Sequence, residues 1–315
     1  GTYPLTPLDM SRWGPLSAAV ATVACCCRMQ TVAAAGAEPI RGPYRTRFAS
    51  FTNPAMDSTS KIIDVYYPEH PGREHDDQFR FISYAHGFGG GGILDPPAYF
   101  LLLDGLASFG YVVASPRACN IGCADDRTSL PDDPPFFANY YKQQLKAIQW
   151  ARSRPDALFD HVNFTGGVGV SGHSMGGQAT LFSTSYRNAS EHGIVAAVMH
   201  HAYTHVYPGA TVPFLAMTGS DDTTAVPNMT LQYYKNPAAS RQRGFVEKTI
   251  APHQEPTILA FNPYLPQFTA AWFKVFLDGT PVWHGIDFEG MLFGPGRDSL
   301  CGGGDGEMTQ CKVHR

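Results

Sequence analysis

Residues 168–180, VGVSGHSMGGQAT, determine how the rest of the chain is interpreted. A β-branched run ends at Gly172, a serine follows at position 174, and small residues then lead into a segment that can begin a helix. A sharp strand-to-helix turn needs small residues on both sides of its central residue, because the two backbones approach closely there. The pattern therefore predicts either a packing corner or a corner that exposes Ser174 as a nucleophile, and the flanking strand and helix favour the nucleophile.

The composition is that of a folded protein with a sizeable core. The 315 residues suit one large domain or two small ones, and 43% of them are hydrophobic while 16% are charged. The formal net charge is −4 and the sequence has no dense run of Lys or Arg. Nucleic acid is therefore not expected as a partner.

Residues 1–36 form a predicted leader, within which the signal peptide starts at Met10. A single catalytic domain is predicted over residues 37–315. Residues 16–27 are uncharged and apolar, but they are too few to span a bilayer as a helix, and the alanines at 33–35 offer a cleavage site. This pattern predicts a secretory signal peptide, and the alternatives are a tethered helix or an organelle-targeting segment. We expect a secreted monomer without a stable membrane span.

The cysteines that remain after the leader support export. Four of the seven lie beyond it, at positions 119, 123, 301 and 311. An even number of cysteines in an exported chain suggests two disulfides, and the local pairs 119–123 and 301–311 are the simplest of three connectivities. Four free buried thiols are the alternative, which a cytosolic location would favour.

Strand-like and helix-like segments alternate from about residue 42 onward. Strands are predicted at residues 44–51, 61–68, 79–86, 111–115, 168–172, 194–200, 212–219 and, as the last one, 244–251. Helices are predicted at residues 96–110, 134–154, 175–187 and 265–279. Early strands followed by repeated strand–helix units predict a mostly parallel, doubly wound sheet flanked by helices. Ligands of such sheets bind at the carboxyl ends of the strands.

The loop YAHGFGGGG, residues 84–92, follows one of these strands. An oxyanion formed at Ser174 needs one N–H from the residue after the nucleophile and one from such an earlier loop. Met175 and Phe88 are the predicted donors, and His86 is expected to shape the loop. A flexible or phosphate-binding loop is the alternative, but the Lys-Ser/Thr ending of a phosphate loop is absent from this sequence.

An acid and a base follow the nucleophile in chain order. Asp222, with neighbouring Asp221 as the alternative, comes after the strand at 212–219 and can orient a catalytic histidine. His253 follows the strand at 244–251 and is the predicted general base, although a loop histidine is usually a surface residue.

A second group of histidines, at positions 200, 201 and 205, invites a metal interpretation. Adjacent residues of a strand point to opposite faces, so His200 and His201 are poorly placed to chelate together. We expect neither a metal site nor a cofactor.

These motifs resemble the α/β-hydrolase fold and, within it, the bacterial polyester-degrading cutinases and poly(ethylene terephthalate) hydrolases. The similarity covers most of residues 42–311. It is carried by GPY at 42–44, HGF at 86–88, GHSMGG at 172–177, GSDDTTAVP at 219–227 and TAAWFKVFLDGT at 269–280.

The resemblance implies Ser174 as nucleophile, Asp222 and His253 as its partners, and Phe88 and Met175 as oxyanion donors. It also implies a disulfide between the cysteines at 301 and 311. That family usually has a substrate-stacking tryptophan where this chain has Tyr203, and His173 is expected beside the substrate as well.

The connection after the strand at 194–200 is too short for a cap domain. We therefore expect an open cleft rimmed by Phe88, Tyr203 and residues 118–135. Such a cleft suits bulky or polymeric esters, including polyesters such as poly(ethylene terephthalate). The alternatives are a lipid-ester or chlorophyllase-like hydrolase, a serine peptidase, and a non-catalytic binding module. The first is considered because HGF with GHSMGG also resembles chlorophyllases and platelet-activating-factor acetylhydrolases.

Overall fold

A mostly parallel sheet of nine strands forms the centre of the described part of the chain. The computed structural model describes residues 38–56, 61–69, 78–88, 97–117, 140–154, 158–304 and 306–315, which belong to one compact unit over 36–315. The predicted leader and the cysteines at 119 and 123 lie outside these residues.

The strands follow the order β1-β2-β4-β3-β5-β6-β7-β8-β11 across the sheet. Their bounds are β1 Thr46–Thr52, β2 Ile62–Pro68, β3 Arg80–Ala85, β4 Tyr111–Pro116, β5 Val168–His173, β6 Ile194–His200, β7 Phe214–Gly219, β8 Arg243–Lys248 and β11 Met308–His314. The six strands from β4 through β8 in this order are parallel to their neighbours, whereas β1, β2 and β11 pair antiparallel. The predicted doubly wound, mostly parallel sheet is confirmed. A separate hairpin consists of β9 Val282–Trp283 and β10 Ile286–Asp287.

Helices cover both faces of the sheet, which explains why the central strands are buried along their whole length. Alternate residues of β4 show the arrangement: Val112 and Ala114 enter one core, while Tyr111 and Val113 enter the other. The first core is closed by α2 Tyr140–Ser153, α3 Met175–Ser183, α4 Tyr186–His192 and α5 Pro227–Tyr234, and the second by α1 Phe100–Ser108, α6 Leu265–Phe276 and α7 Phe288–Phe293.

Two predictions about the order of strands and helices are wrong. The strand at 244–251 is not the last one, because β11 pairs antiparallel with β8 and forms the edge of the sheet. Its residues alternate between half-buried and exposed, so they lack the continuous apolar run that revealed the central strands. The helix predicted at 175–187 is two helices, since the chain turns at Thr184 and Ser185 before α4 begins.

The connection between β6 and β7 is short, as predicted. Residues 201–213, all of which the structure describes, contain neither helix nor strand, so no cap is inserted at this point. Among the described residues, no helix has the length and apolar character needed to cross a membrane.

Cys301 and Cys311 form a disulfide that ties the segment before β11 to the edge strand itself. We predict that replacing both cysteines with serine lowers the free energy of unfolding by roughly 2–3 kcal/mol, because a loop of this length gains that much conformational freedom when it is opened. Urea unfolding of the oxidised protein and of the Cys301→Ser/Cys311→Ser variant measures the difference. Equal midpoints and slopes would contradict the prediction.

Candidate active site

Ser174 occupies the sharp turn between β5 and α3. Its backbone has φ 57° and ψ −121°, a conformation that costs a non-glycine residue free energy and persists only where surrounding structure holds it. A Cβ atom at Gly176 would collide with the backbone carbonyl of Ala85, and one at Gly172 would collide with the carbonyl of Gly176. The small residues that marked this motif in the sequence are therefore required by the close approach of β3, β5 and α3.

Backbone hydrogen bonds hold Ser174 in this conformation. Its N–H donates to the carbonyl of His200 at 3.1 Å, and its own carbonyl accepts from the N–H of Gln178 at 3.1 Å and of Tyr203 at 2.9 Å. The end of β6 thus supports the turn from one side and α3 from the other. Ser174 is 6% exposed, so it is nearly but not completely buried.

His253 and Asp222 meet Ser174 from the loops after β8 and β7. The hydroxyl of Ser174 donates to Nε2 of His253 at 2.9 Å, and Nδ1–H of His253 donates to Oδ2 of Asp222 at 2.8 Å. The other oxygen of Asp222 accepts from the backbone N–H groups of Thr224 and Ala225 at 2.9 and 2.7 Å. Asp221 is exposed and contacts Ser220 instead, so the structure brings Asp222 rather than Asp221 to the histidine.

The loop after β3 lies directly against the hydrogen-bonded row that Ser174, His253 and Asp222 form. A Cβ atom at Gly87 would be 2.9 Å from the hydroxyl of Tyr99 and 3.1 Å from Cβ of Ser174, so a side chain there would crowd both residues. His86 is buried and its Nδ1–H donates to the carbonyl of Gly87 at 2.6 Å. Burial lowers the pKa of His86 to about 4, which keeps the ring neutral at physiological pH. These contacts hold Gly87 against Ser174, and the side chain of the next residue, Phe88, is 64% exposed.

Met175 is the first residue of α3. The first N–H groups of a helix have no acceptor within the helix, and the helix dipole makes this end electropositive. Because Met175 directly follows Ser174, its N–H belongs to this electropositive end of the helix. The side chain of Met175 packs against the core that α2 and α3 cover.

His173 has a different environment from the one expected for a substrate contact. The residue is 2% exposed, Nδ1 accepts from the hydroxyl of Tyr99 at 2.9 Å, and Nε2–H donates to the carbonyl of His253 at 2.8 Å. Burial, followed by the neighbouring charges of His253 and His201, holds the pKa of His173 well below its usual value. Because both ring nitrogens bind protein atoms, His173 fits a structural support for the His253 loop better than a substrate ligand.

Tyr99 links these supports to one another. Its hydroxyl accepts from the N–H of Gly87 at 2.8 Å while donating to His173. The loops that carry Phe88 and His253 are thus connected through one tyrosine at the start of α1, a contact that the sequence pattern did not reveal.

Tyr203, the residue that the sequence predicts at the rim of the cleft, contacts His205 two positions later. The two rings meet edge to face with centroids 5.2 Å apart, and the hydroxyl of Tyr203 is 3.3 Å from Nε2 of His205. Tyr203 is half-buried, and its backbone N–H contacts the Ser174 carbonyl. Residues 118–135, the third predicted part of the rim, lie outside the described residues.

Two residues that sequence reasoning did not assign to the site extend the row. Nδ1–H of His201 donates to Oδ2 of Asp222 at 2.9 Å, and Nε2–H donates to Oε2 of Glu255 at 3.0 Å. Glu255 was visible in the sequence two positions after His253, but tight turns at 252–257 are needed to direct it back to His201.

The charges of this group stabilise one another. Burial alone would lower the pKa of His201, but hydrogen bonds to Asp222 and Glu255 and their charges outweigh burial and raise it. Burial would likewise raise the pKa values of both carboxyl groups, and the histidine contacts lower them instead. The buried carboxylates therefore remain ionised because donors surround them.

His201, Asp222 and His253 also bring one potential metal-ligating atom each to within 4.8 Å of the others. The same atoms already form the hydrogen bonds described above, and a nitrogen that carries a proton has no lone pair to offer a metal. The arrangement therefore fits a proton-transfer and hydrogen-bond network better than a metal centre.

The mostly parallel sheet, together with a serine at a strained strand-to-helix turn and an acid and a histidine after later strands, defines the α/β-hydrolase fold. More narrowly, the profile of the PET hydrolase-like family matches residues 72–285, and the chain belongs to this family.

A curated relative supports this assignment. The chain is 26% identical over 242 residues to the bis(hydroxyethyl) terephthalate hydrolase of Streptomyces coelicolor (strain ATCC BAA-471 / A3(2) / M145), which corresponds to 76% of this chain and 70% of that protein. At the level of its family, the chain is therefore an ester hydrolase.

The lowered pKa values of Asp222 and Glu255 predict loss of stability in acid. Both carboxyl groups have folded-state pKa values below the ordinary 3.8 and 4.5. The stability they contribute is therefore fully present above these ordinary values, and it is lost as pH falls from them through the folded-state pKa values. For Glu255 alone we expect a loss on the order of 2 kcal/mol between pH 6 and pH 3.

Denaturant unfolding over this pH range provides the measurement. The variant Glu255→Gln should be less stable at pH 6 but should show a shallower decline toward pH 3. The control is Glu191→Gln, which removes a carboxylate from an exposed ion pair on α4. It should leave the slope of the free energy of unfolding against pH unchanged. A Glu255→Gln slope equal to that of the wild type would contradict the prediction.

Proposed function

We propose that the protein is a serine carboxylester hydrolase that works through an acyl-enzyme. The observation that carries this proposal is the continuous hydrogen-bonded row from Ser174 Oγ through His253 to Asp222. A histidine held in this way accepts the serine proton through Nε2 while the carboxylate fixes its tautomer and stabilises its cation.

The proposed reaction has two halves. In the first, Ser174 Oγ attacks the ester carbonyl carbon, His253 accepts the hydroxyl proton, and the N–H groups of Phe88 and Met175 stabilise the oxyanion. The C–O bond to the alcohol then breaks, and His253 returns the proton to the leaving oxygen. In the second half, water deprotonated by His253 attacks the acyl-enzyme, which releases the acid and restores Ser174.

We further propose that the substrates are bulky or polymeric esters with apolar acyl parts, polyesters among them. The relative from Streptomyces coelicolor is named for bis(hydroxyethyl) terephthalate, an aromatic ester. In this chain, residues 201–213 contain no inserted cap, which fits a cleft that admits bulky esters. Ile258 and Leu259, which follow His253 in the chain, are 50% and 73% exposed and offer an apolar surface.

The apolar loop is fixed next to the site rather than remote from it. The N–H of Ile258 donates to the carbonyl of Ala98, which precedes the Tyr99 that contacts both Gly87 and His173. In the proposed binding mode, a long or flat ester covers Leu259 while its carbonyl reaches Ser174.

Export is part of the proposal. The Cys301–Cys311 disulfide fits an oxidising compartment, where such bonds persist. The leader pattern of residues 1–36 gives the same location from the sequence alone.

The serine mechanism predicts that Ser174→Ala loses at least roughly a thousandfold of its turnover of p-nitrophenyl esters and is not labelled by a fluorophosphonate probe. The matched control is Ser171→Ala, since the hydroxyl of Ser171 is buried in β5 without a hydrogen-bond partner among the described residues. Full turnover by Ser174→Ala would refute the nucleophile assignment, and wild-type protein that is neither active nor labelled would indicate a binding module.

The substrate proposal predicts faster hydrolysis of bis(hydroxyethyl) terephthalate and polyester film than of chlorophyll or short acylglycerols. The variant Leu259→Ser should lower the rate on film by about threefold to tenfold relative to its rate on p-nitrophenyl acetate, because it removes part of the apolar surface that the polymer would cover. Product release measured by chromatography gives both rates.

A suitable control is Val282→Ser. Val282 is 59% exposed in β9, and the adjacent Trp283 packs on Tyr44 and under Lys274, away from the carboxyl ends of the strands. This variant should keep the wild-type ratio between film and p-nitrophenyl acetate. A preference for chlorophyll or acylglycerols, or equal ratios in both variants, would contradict the substrate proposal.

A further inference from the structure

A row of alternating charges continues from the proposed active site toward the protein surface. Oδ2 of Asp222 accepts from both His253 and His201, and His201 in turn donates to Glu255. The other oxygen of Glu255 accepts from Nζ of Lys248 at 3.0 Å and from the amide of Asn262 at 2.8 Å. Carboxylate, imidazole, carboxylate and ammonium thus follow one another, and His201 is fully buried within the row.

The chemistry of its partners assigns the protonation state of His201. An ionised carboxylate has no proton to donate, so a ring nitrogen that bonds to it must carry the proton itself. Both ring nitrogens of His201 bond to carboxylate oxygens. Glu255 is additionally held by Lys248 and Asn262, which favours its ionised form. The geometry therefore describes His201 as an imidazolium cation bound on both sides.

His201 adopts an unusual backbone conformation, with φ 47° at the end of β6. Histidine tolerates this region better than most residues do. The conformation turns the side chain toward Asp222, whereas neighbouring His200 binds Thr269 of α6.

The ionisable groups that surround His201 are of both signs. Asp222 and Glu255 contact its two nitrogens, and the rings of His253 and His173 lie 6.0 and 6.2 Å from its own, measured between centroids. His200 precedes it in the chain, and Lys248 forms an ion pair with the oxygen of Glu255 that His201 does not bind. The two carboxylates compensate the buried cation, so its charge persists next to the proposed general base.

We infer that His201 is a positioning residue of the esterase site: a buried imidazolium that binds the same oxygen of Asp222 as His253 does and extends catalysis toward acidic pH. The inference deepens the proposed function and rests on it. His201 donates the second hydrogen bond to Oδ2 of Asp222 and so fixes the carboxylate that orients His253. Its ring lies 6.0 Å from that of His253, so its positive charge disfavours a second positive charge there, and this like-charge repulsion is the physical basis of the proposed pH effect.

The variant His201→Asn tests this role. Asparagine tolerates a positive φ and places an amide donor near the position of Nδ1, so it keeps the bond to Asp222 while it removes the charge. We expect the acidic limb of the pH profile of kcat/KM on p-nitrophenyl acetate to move upward by about one pH unit, since a like charge at this distance has effects of that size. Activity at pH 5 should therefore fall roughly tenfold relative to activity at pH 8.

Two further variants complete the comparison. Glu255→Gln removes one of the two carboxylates that keep His201 charged, so its acidic limb should move in the same direction. His200→Gln replaces an equally buried neighbouring histidine that has no carboxylate contact, and its profile should coincide with that of the wild type.

A purely structural role for His201 would lower kcat/KM by the same factor at every pH, and this result would overturn the inference. The proposed function fails separately, since it requires that Ser174→Ala lose activity and probe labelling. If Ser174 is the nucleophile and the His201→Asn profile is unshifted, only the role of His201 is refuted.

Nuclear magnetic resonance of the wild-type protein tests the charge even if a variant does not fold. With nitrogen-15 in the histidine rings, His201 should show two downfield N–H protons at pH 8. Through-bond correlation of these signals with the ring carbons and backbone of His201 assigns them without a variant. A single ring N–H at pH 8 would show a neutral His201 and would overturn the inference.

Discussion

The buried carboxylate of Asp222 is the constraint on which the arrangement of the site depends. A buried charge is tolerated only where donors replace the water it has lost. Four donors do so here: the rings of His253 and His201, and the backbone N–H groups of Thr224 and Ala225. Each comes from a segment that follows a sheet strand, so the requirement of this one carboxylate fixes the relative positions of three loops.

The turn at Ser174 imposes the second constraint. Its strained backbone requires the close approach of β3 and α3, which excludes side chains at Gly172 and Gly176, and it is held by the backbone of β6. The same β6 end provides His201 and Tyr203. The proposed nucleophile, the support of Asp222 and the proposed rim residue Tyr203 are therefore connected through one strand end.

Much of this architecture follows from patterns in the sequence. The central strands carry apolar runs because they are buried on both faces, and the glycines around Ser174 mark a turn that nothing larger would fit. Edge strand β11 was not predicted because only one of its faces packs against the protein. The helix break at Ser185 was not predicted because neither glycine nor proline marks it. His173 was expected at the substrate, although its ring is used entirely by Tyr99 and the His253 carbonyl.

The sequence by itself determined the fold class and the order of serine, acid and histidine, since periodicity and glycine spacing are local properties of the chain. Only the tertiary structure decided that Asp222 rather than Asp221 faces His253, and that His201 and Glu255 join them. Those choices depend on how the ends of β6, β7 and β8 lie next to one another. The contacts join residues up to 54 positions apart, and no local pattern encodes which of several neighbouring acids or histidines turns inward.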